Sequence, residues 1–343
     1  FAAADILMPA GKRTLSQWVK FANSLRLRLA IRVSMSAPDL ARAEVAKAMD
    51  ATAGGVLESA DETVAVSTES GYKNPLGTVN EGWGEVFMGA TMESVLVGYN
   101  DPRLIKYYSK AEGGDIKDEK GNLIIAERNK IAGTYKGVPQ GTGVTVKDEN
   151  RYRLHSKSTI TKQTDAILMT AAEVWFLRAE AALRGFTSEN MKDCYEKGIT
   201  VSCQQWGVNV GDYLTSDATP SDYVDAFEAK YDVKALIKVT PKWDGGASPE
   251  EQLERILTQK WIACYPEGYE AWTEQRRTGY PQLFKVFVNN SGGAIDTNIR
   301  IRRLPYPSDI QKNNPTQYSA LKKALGGEDN GGTRLWWDTG RNF

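Results

Sequence analysis

What most constrains this chain is a pair of segments with helical apolar periodicity, joined by too few residues to do anything but turn back. Leu168, Ala171, Ala172, Trp175, Ala179 and Ala182 recur every three or four positions, so one face packs while Glu173, Arg178, Glu180 and Arg184 interrupt it. Gly185 stands where a helix takes a left-handed C-cap residue, and Ser188 where the next helix takes its N-cap. A short turn therefore leads into Tyr195-Glu196-Lys197-Gly198-Ile199, and the two helices must lie side by side. Small alanines on the facing surface let their backbones approach. The expectation is a helix pair over about 166–205.

A second pair is expected over about 14–52. Trp18, Phe21, Ala22, Leu25, Leu29 and Val33 form one stripe with Arg28 and Arg32 beside it. Pro38 then suits a first helical turn, and Ala41, Val45, Ala46 and Met49 carry a second stripe that ends at Gly54-Gly55. Stacked pairs of this kind are scaffolds of the tetratricopeptide type, although an ordinary helical hairpin explains either segment by itself. The stretches 56–160 and 208–248 are rich in Gly, Asn and loop rings, with short helices expected at Glu85–Leu96 and Ser221–Glu228 and a strand at Leu123-Ile124-Ile125. Ser248-Pro249-Glu250-Glu251 is a capping box that opens a C-terminal helical region (249–343), with a further helix at Tyr269–Arg277 and a Gly-, Asn- and Pro-rich tail from Asn289. The fold class is thus mostly α, with helix pairs, an irregular loop-rich face and few short strands, in one domain over 1–343.

Composition removes several function classes. Lysine plus arginine and aspartate plus glutamate both number 43, so no long-range field favours nucleic acid or an anionic membrane. No apolar run reaches the roughly 18 residues of a membrane-spanning helix. Cys194, Cys203 and Cys264 lack C-x-x-C spacing and His155 is the sole histidine, so neither a transition metal nor a cofactor is expected. Cys194 and Cys203 lie about 13 Å apart along one helix at ~1.5 Å per residue, too far for a disulfide, and read as buried free thiols. Asp115, Asp118 and Asn122 lack the calcium-loop pattern, and the chain has no G-x-S-x-G elbow, Walker loop or dinucleotide fingerprint. Arg276 and Arg277 after Glu270 and Glu274 fit either an anion site or ion pairing at helical spacing.

The excess lies in the aromatics, with 9 Trp and 15 Tyr. Neutral sugars are held by ring faces covering C–H surfaces and by side-chain hydrogen bonds to hydroxyls. The candidate ligand-binding residues are therefore Tyr72 with Asn74, Trp83 with Asn80, and Trp243 with Asp244, all on loops. Glycines beside Trp83 and after Asp244 remove side chains that would cover a ring. Trp18, Trp175, Trp261 and Trp272 sit on apolar helix stripes and are assigned to packing.

Several of these segments together resemble the SusD/RagB family of nutrient-binding outer-membrane lipoproteins of Bacteroidetes. The resemblance rests on Trp18 to Ala30, Asn100-Asp101-Pro102-Arg103, Thr170 to Leu183 and Ile256-Leu257-Thr258-Gln259-Lys260-Trp261-Ile262-Ala263. It continues through Glu270-Ala271-Trp272, Arg276 to Pro281, Arg302 to Pro307 and Trp336-Trp337-Asp338. It implies a non-catalytic protein at the outer membrane that binds oligosaccharides, or peptides or amino acids in some systems, and passes them to a SusC-like TonB-dependent transporter. It also implies a lipid anchor and an N-terminal helical portion that this sequence, starting at Phe1, does not carry. Outside the family, the alternatives are a tetratricopeptide adaptor and a glycoside hydrolase.

Overall fold

The structure is a computed structural model and describes residues 2–118, 120–125, 129–143 and 151–343. Its helices are α1 (Leu15–Arg32), α2 (Pro38–Ala48), α3 (Pro75–Thr78), α4 (Ala90–Gly98), α5 (Leu104–Tyr107), α6 (Ala171–Leu183), α7 (Met191–Gln205), α8 (Pro249–Ala263), α9 (Gly268–Thr278), α10 (Ser308–Asn313) and α11 (Pro315–Leu325). The strands are short: β1 (Val64–Val66) pairs antiparallel with β4 (Ala166–Met169), and β2 (Ile116–Lys117) with β3 (Leu123–Ile125).

Local chemistry starts the long helices, α8 at the expected Ser248 cap but α7 at Asn190 and not at the expected Ser188. Thr170 accepts from the Glu173 N–H, Asn190 from the Asp193 N–H, and Ser248 and Glu251 form a reciprocal capping box. α6 is the centre of the fold and packs against α1, α7 and α8. Its partner α7 comes close because Gly198 faces Phe176, where a Cβ would lie 2.8 Å from ring carbons. α1 and α2 form the other hairpin. The cysteines are free and buried.

Four expectations are corrected. Ala166–Met169 is not helix: it is β4, and Leu168 belongs to that strand, so α6 begins only after the Thr170 cap. Residues 221–228 are not helical, because the Ser221 N–H is taken by the Ser94 carbonyl and Tyr223 exchanges backbone hydrogen bonds with Val233. Residues 85–89 are extended, with Met88 and Ser158 bonding to Ser156 and Val86, so α4 starts five residues later than expected, at Ala90. The C-terminal tail contains α10 and α11. In the expected turn before β3, Asp118 accepts from the Lys120 and Asn122 N–H groups, while Glu119 lies outside the described residues.

The helices are joined by charge as well as by apolar contact. Arg28 of α1 donates to both oxygens of Glu173 on α6, at 2.7 and 2.6 Å, and Arg32 to Glu270 on α9 at 2.7 Å. Lys260 of α8 is 2.9 Å from Glu270 and 3.3 Å from Glu274. Arg277 donates to both oxygens of Glu180, each at 2.7 Å, and to Glu274 at 2.6 and 3.1 Å. Burial alone would push the Glu270 carboxyl up, but Lys260, Arg32 and Arg28 together outweigh it and hold it at about 2. Glu274 and Glu180 are likewise held below the usual carboxylate range, against burial, by their cations. Arg276 differs: it donates to the Arg302 carbonyl and stacks on Trp272, 3.7 Å from the ring centroid.

Candidate functional site

Two places in the molecule have the attributes of a ligand site, and they are built differently. The first is the loop that runs from Gly71 to Gly84. Asn74 caps α3 by accepting from the Leu76 N–H at 3.0 Å, and its amide donates to the Thr164 carbonyl at 3.0 Å. Asn80 donates to the Ser158 and Ile160 carbonyls at 2.7 and 2.8 Å, and Glu81 accepts from the Lys162 N–H at 2.7 Å. The loop is thereby fastened to the 158–164 segment along its length.

This geometry redistributes the roles expected from sequence. Asn74 is 4 % exposed and its amide is used in holding the loop, so it is an anchor rather than a hydroxyl partner. The Asn80 amide nitrogen is used in the same way, while its Oδ1 is buried without a partner among the described residues. Tyr72 is half-buried, and Trp83, between Gly82 and Gly84, is 60 % exposed. Gly84 takes φ 65°, which lets the chain turn away directly after the indole. The other expected ring is not comparable: Trp243 is half-buried against the core, 5.2 Å from the Tyr195 ring. Asp244 is exposed and accepts from the Gly246 N–H of its own turn at 2.9 Å. Trp243 and Asp244 thus belong to the turn before α8, with the indole set on the core.

Seating of that loop depends on Gly77, because a Cβ there would fall 2.1 Å from the Thr161 carbonyl group. Backbone cannot yield as a side chain does. Gly77→Ala is expected to lift the loop off the 158–164 segment and lower stability by roughly 1–3 kcal/mol. Limited proteolysis within residues 71–84 checks it, and an unchanged cleavage rate with an unchanged denaturation midpoint would show that the contact does not hold the loop.

The second place is a cleft of about 750 Å³ between α8, α9, the start of α4 and the 283–301 segment. Gly268, Ala271, Trp272 and Gln275 line it from one face of α9, spaced three and four residues apart. Trp261 and Tyr108 close its floor, and Phe284, Val286, Val288, Ile295 and Ile301 form the opposite wall. That wall is fixed by the Phe284 N–H on Thr91 Oγ1 at 3.1 Å, the Phe287 N–H on the Gln140 carbonyl at 3.0 Å, and Arg300, which bonds Gln140 Oε1 at 2.8 Å and the Phe284 carbonyl. Its volume and mainly apolar lining are those of a small-molecule site. Both rings are expected in packing from the sequence; Trp261 does pack against the core, and both also line the cleft. The available signal was the pairing of Gly268 and Ala271 with Trp272 and Gln275 on one helical face, small residues leaving a hollow beside large ones. The opposite wall comes from residues with no periodicity.

Comparison with known proteins places this architecture. The family model described as SusD-like, the Susd and RagB outer membrane lipoproteins, matches residues 9–338. A SusD homolog from Bacteroides vulgatus is 53 % identical with a TM-score of 0.87, the match covering 96 % of this chain and 64 % of that one. A chitin-binding SusD homolog from Flavobacterium johnsoniae is 37 % identical with a TM-score of 0.88, over 100 % of this chain and 67 % of that one. A SusD homolog from Bacteroides thetaiotaomicron is 34 % identical with a TM-score of 0.85, over 98 % and 68 % respectively. The chain thus spans about two thirds of the length of these relatives. No curated protein matches it.

Proposed function

The chain belongs to the SusD-like family of outer membrane lipoproteins, and from that premise we propose that it binds nutrient oligosaccharides at the cell surface without cleaving them and delivers them to a SusC-like TonB-dependent transporter. The observation that carries this reading is the likeness, over the whole chain, to a homolog that binds chitin. Trp83 supports it: an indole 60 % exposed on a loop already fastened at Asn74, Asn80 and Glu81 presents a flat apolar face at little ordering cost.

The carboxylates favour binding over hydrolysis. A glycosidase general acid needs a raised pKa beside the scissile bond. Glu180, Glu270 and Glu274 are held low by their cations, the opposite condition. Burial does push Glu93, Glu254 and Glu267 up, but each is engaged structurally. Glu93 holds Lys136 and the Gly137 N–H, Glu254 accepts from Gln282, and Glu267 caps α9.

Calorimetric titration with chito-oligosaccharides, other neutral oligosaccharides and short peptides tests the proposal. Binding of an oligosaccharide with no product after prolonged incubation is the expected result, and Trp83→Ala is expected to weaken it by about 1–3 kcal/mol, roughly 5- to 150-fold. Binding of peptides alone would move the reading to peptide nutrients. Turnover abolished by one Glu or Asp substitution would make the protein an enzyme.

A further inference from the structure

We propose that the cleft against α9 is a sugar subsite separate from Trp83, and that it takes an N-acetylated amino-sugar unit. This rests on the oligosaccharide reading and gives it a chemical class and a second location.

The argument begins with polar groups that the fold leaves without work. Tyr108 is 6 % exposed and Gln275 8 % exposed, and both line the cleft. Among the described residues, neither the Tyr108 hydroxyl nor the Gln275 amide has a protein hydrogen-bond partner, and the indole N–H of Trp261, a half-buried residue on the same lining, has none either. Nearly all buried polar side chains in folded proteins are paired, so two buried and unpaired ones on a single concavity, their polar atoms not closed off from solvent, mark a place where a ligand or water completes them.

The same groups limit what that ligand can be. All three are neutral, and burial pushes the Tyr108 hydroxyl well above its ordinary range, so it remains a donor. Two charged groups also stand on the lining, each with neutral partners: Arg300 with Gln140 and the Phe284 carbonyl, Asp296 with the Asn298 and Ile299 N–H groups.

An acetamido sugar matches this combination group by group. Its carbonyl accepts from an O–H or indole N–H, its amide N–H donates to the Gln275 oxygen, and its methyl and ring C–H surfaces lie on indole and aliphatic walls. Trp272 is held for that purpose. Its Nε1 donates to the Ile301 carbonyl at 3.1 Å, and Arg276 covers one ring face at 3.7 Å. Space is provided by Gly268 and Ala271, which leave the α9 side of the cleft open.

The test titrates the parent protein with a chito-oligosaccharide and with the cello-oligosaccharide of equal length, which replaces each acetamido group by hydroxyl. Tyr108→Phe, Gln275→Leu and Ala271→Phe follow, each verified as folded by its denaturation midpoint. The N-acetylated ligand is expected to bind at least about tenfold more tightly than the cello-oligosaccharide. Tyr108→Phe and Gln275→Leu should remove most of that difference, and Ala271→Phe, which fills the cleft, should remove it entirely. Equal binding of the two oligosaccharides by the parent overturns the proposal. So does parent-like preference in all three variants while Trp83→Ala still weakens binding, and in both cases the oligosaccharide reading stands. Failure of every oligosaccharide to bind the parent overturns both.

Discussion

Arg277→Met is expected to destabilise the protein by about 3–5 kcal/mol, measured as a lower denaturant midpoint with an unchanged slope. The reason is what the substitution leaves behind. Arg277 is 2 % exposed and donates two hydrogen bonds each to Glu180 and Glu274, themselves 1 % and 5 % exposed. Methionine fills much of the volume but abandons two carboxylates in a place water does not reach. Glu180 retains Arg184 at 2.8 Å and Glu274 retains Lys260 at 3.3 Å, which keeps the cost within that range. A midpoint within experimental error of the parent would mean that the network adds nothing to stability.

The same network fixes the sign of the acid response. Glu270 falls from 4.5 to about 2 on folding, so its contribution is complete above pH 4.5 and is lost as pH drops toward 2. Glu274 and Glu180, also depressed, act in the same direction. Stability should therefore decline steeply with acid below about pH 4.5, and Glu270→Gln should flatten that decline. An equal slope in the two proteins would assign acid sensitivity to other groups.

Asp101→Ala is the second large effect, also about 3–5 kcal/mol. Asp101 accepts from the Arg103 N–H and Nε at 2.9 Å, from Arg103 Nη2 at 2.6 Å, and from the Tyr213 hydroxyl at 2.7 Å. Arg103 is 0 % exposed and its remaining contacts, Gln259 Oε1 at 2.8 Å and Ser202 Oγ at 3.1 Å, are neutral. Removing Asp101 strands a cation among α5, α7 and α8. The double variant Asp101→Leu/Arg103→Met removes both charges and is expected to be more stable than Asp101→Ala, because desolvation of an unpaired ion dominates the single variant. If the double variant is the less stable of the two, packing around the pair outweighs its electrostatics.

Asn100-Asp101-Pro102-Arg103 was legible in the sequence as a mark of resemblance. The structure supplies its physical role, which is to join the loop after α4 to α7 and α8.

The sequence by itself determined what depends on short range. Period located α1, α2, α6, α7, α8 and α9, and Ser248 announced the start of α8 because a cap acts on backbone within three residues, whereas α7 takes its cap from Asn190 and not from the expected Ser188. Glycine on both sides of Trp83 announced an exposed ring, and even charge balance disfavoured polyanionic partners. Tertiary structure decided everything that joins distant residues. It made Ala166–Met169 a strand by supplying β1 as its partner, and kept 221–228 from helix by taking the Ser221 N–H for Ser94. It turned Asn74 and Asn80 into anchors by bringing the 158–164 carbonyls beside them, and set Trp243 on Tyr195. It also put Trp272, and Trp261 while it packs on the core, on the lining of a cleft shared with the 283–301 segment. A hydrogen bond or a cavity needs two partners, and periodicity along one segment describes only one of them.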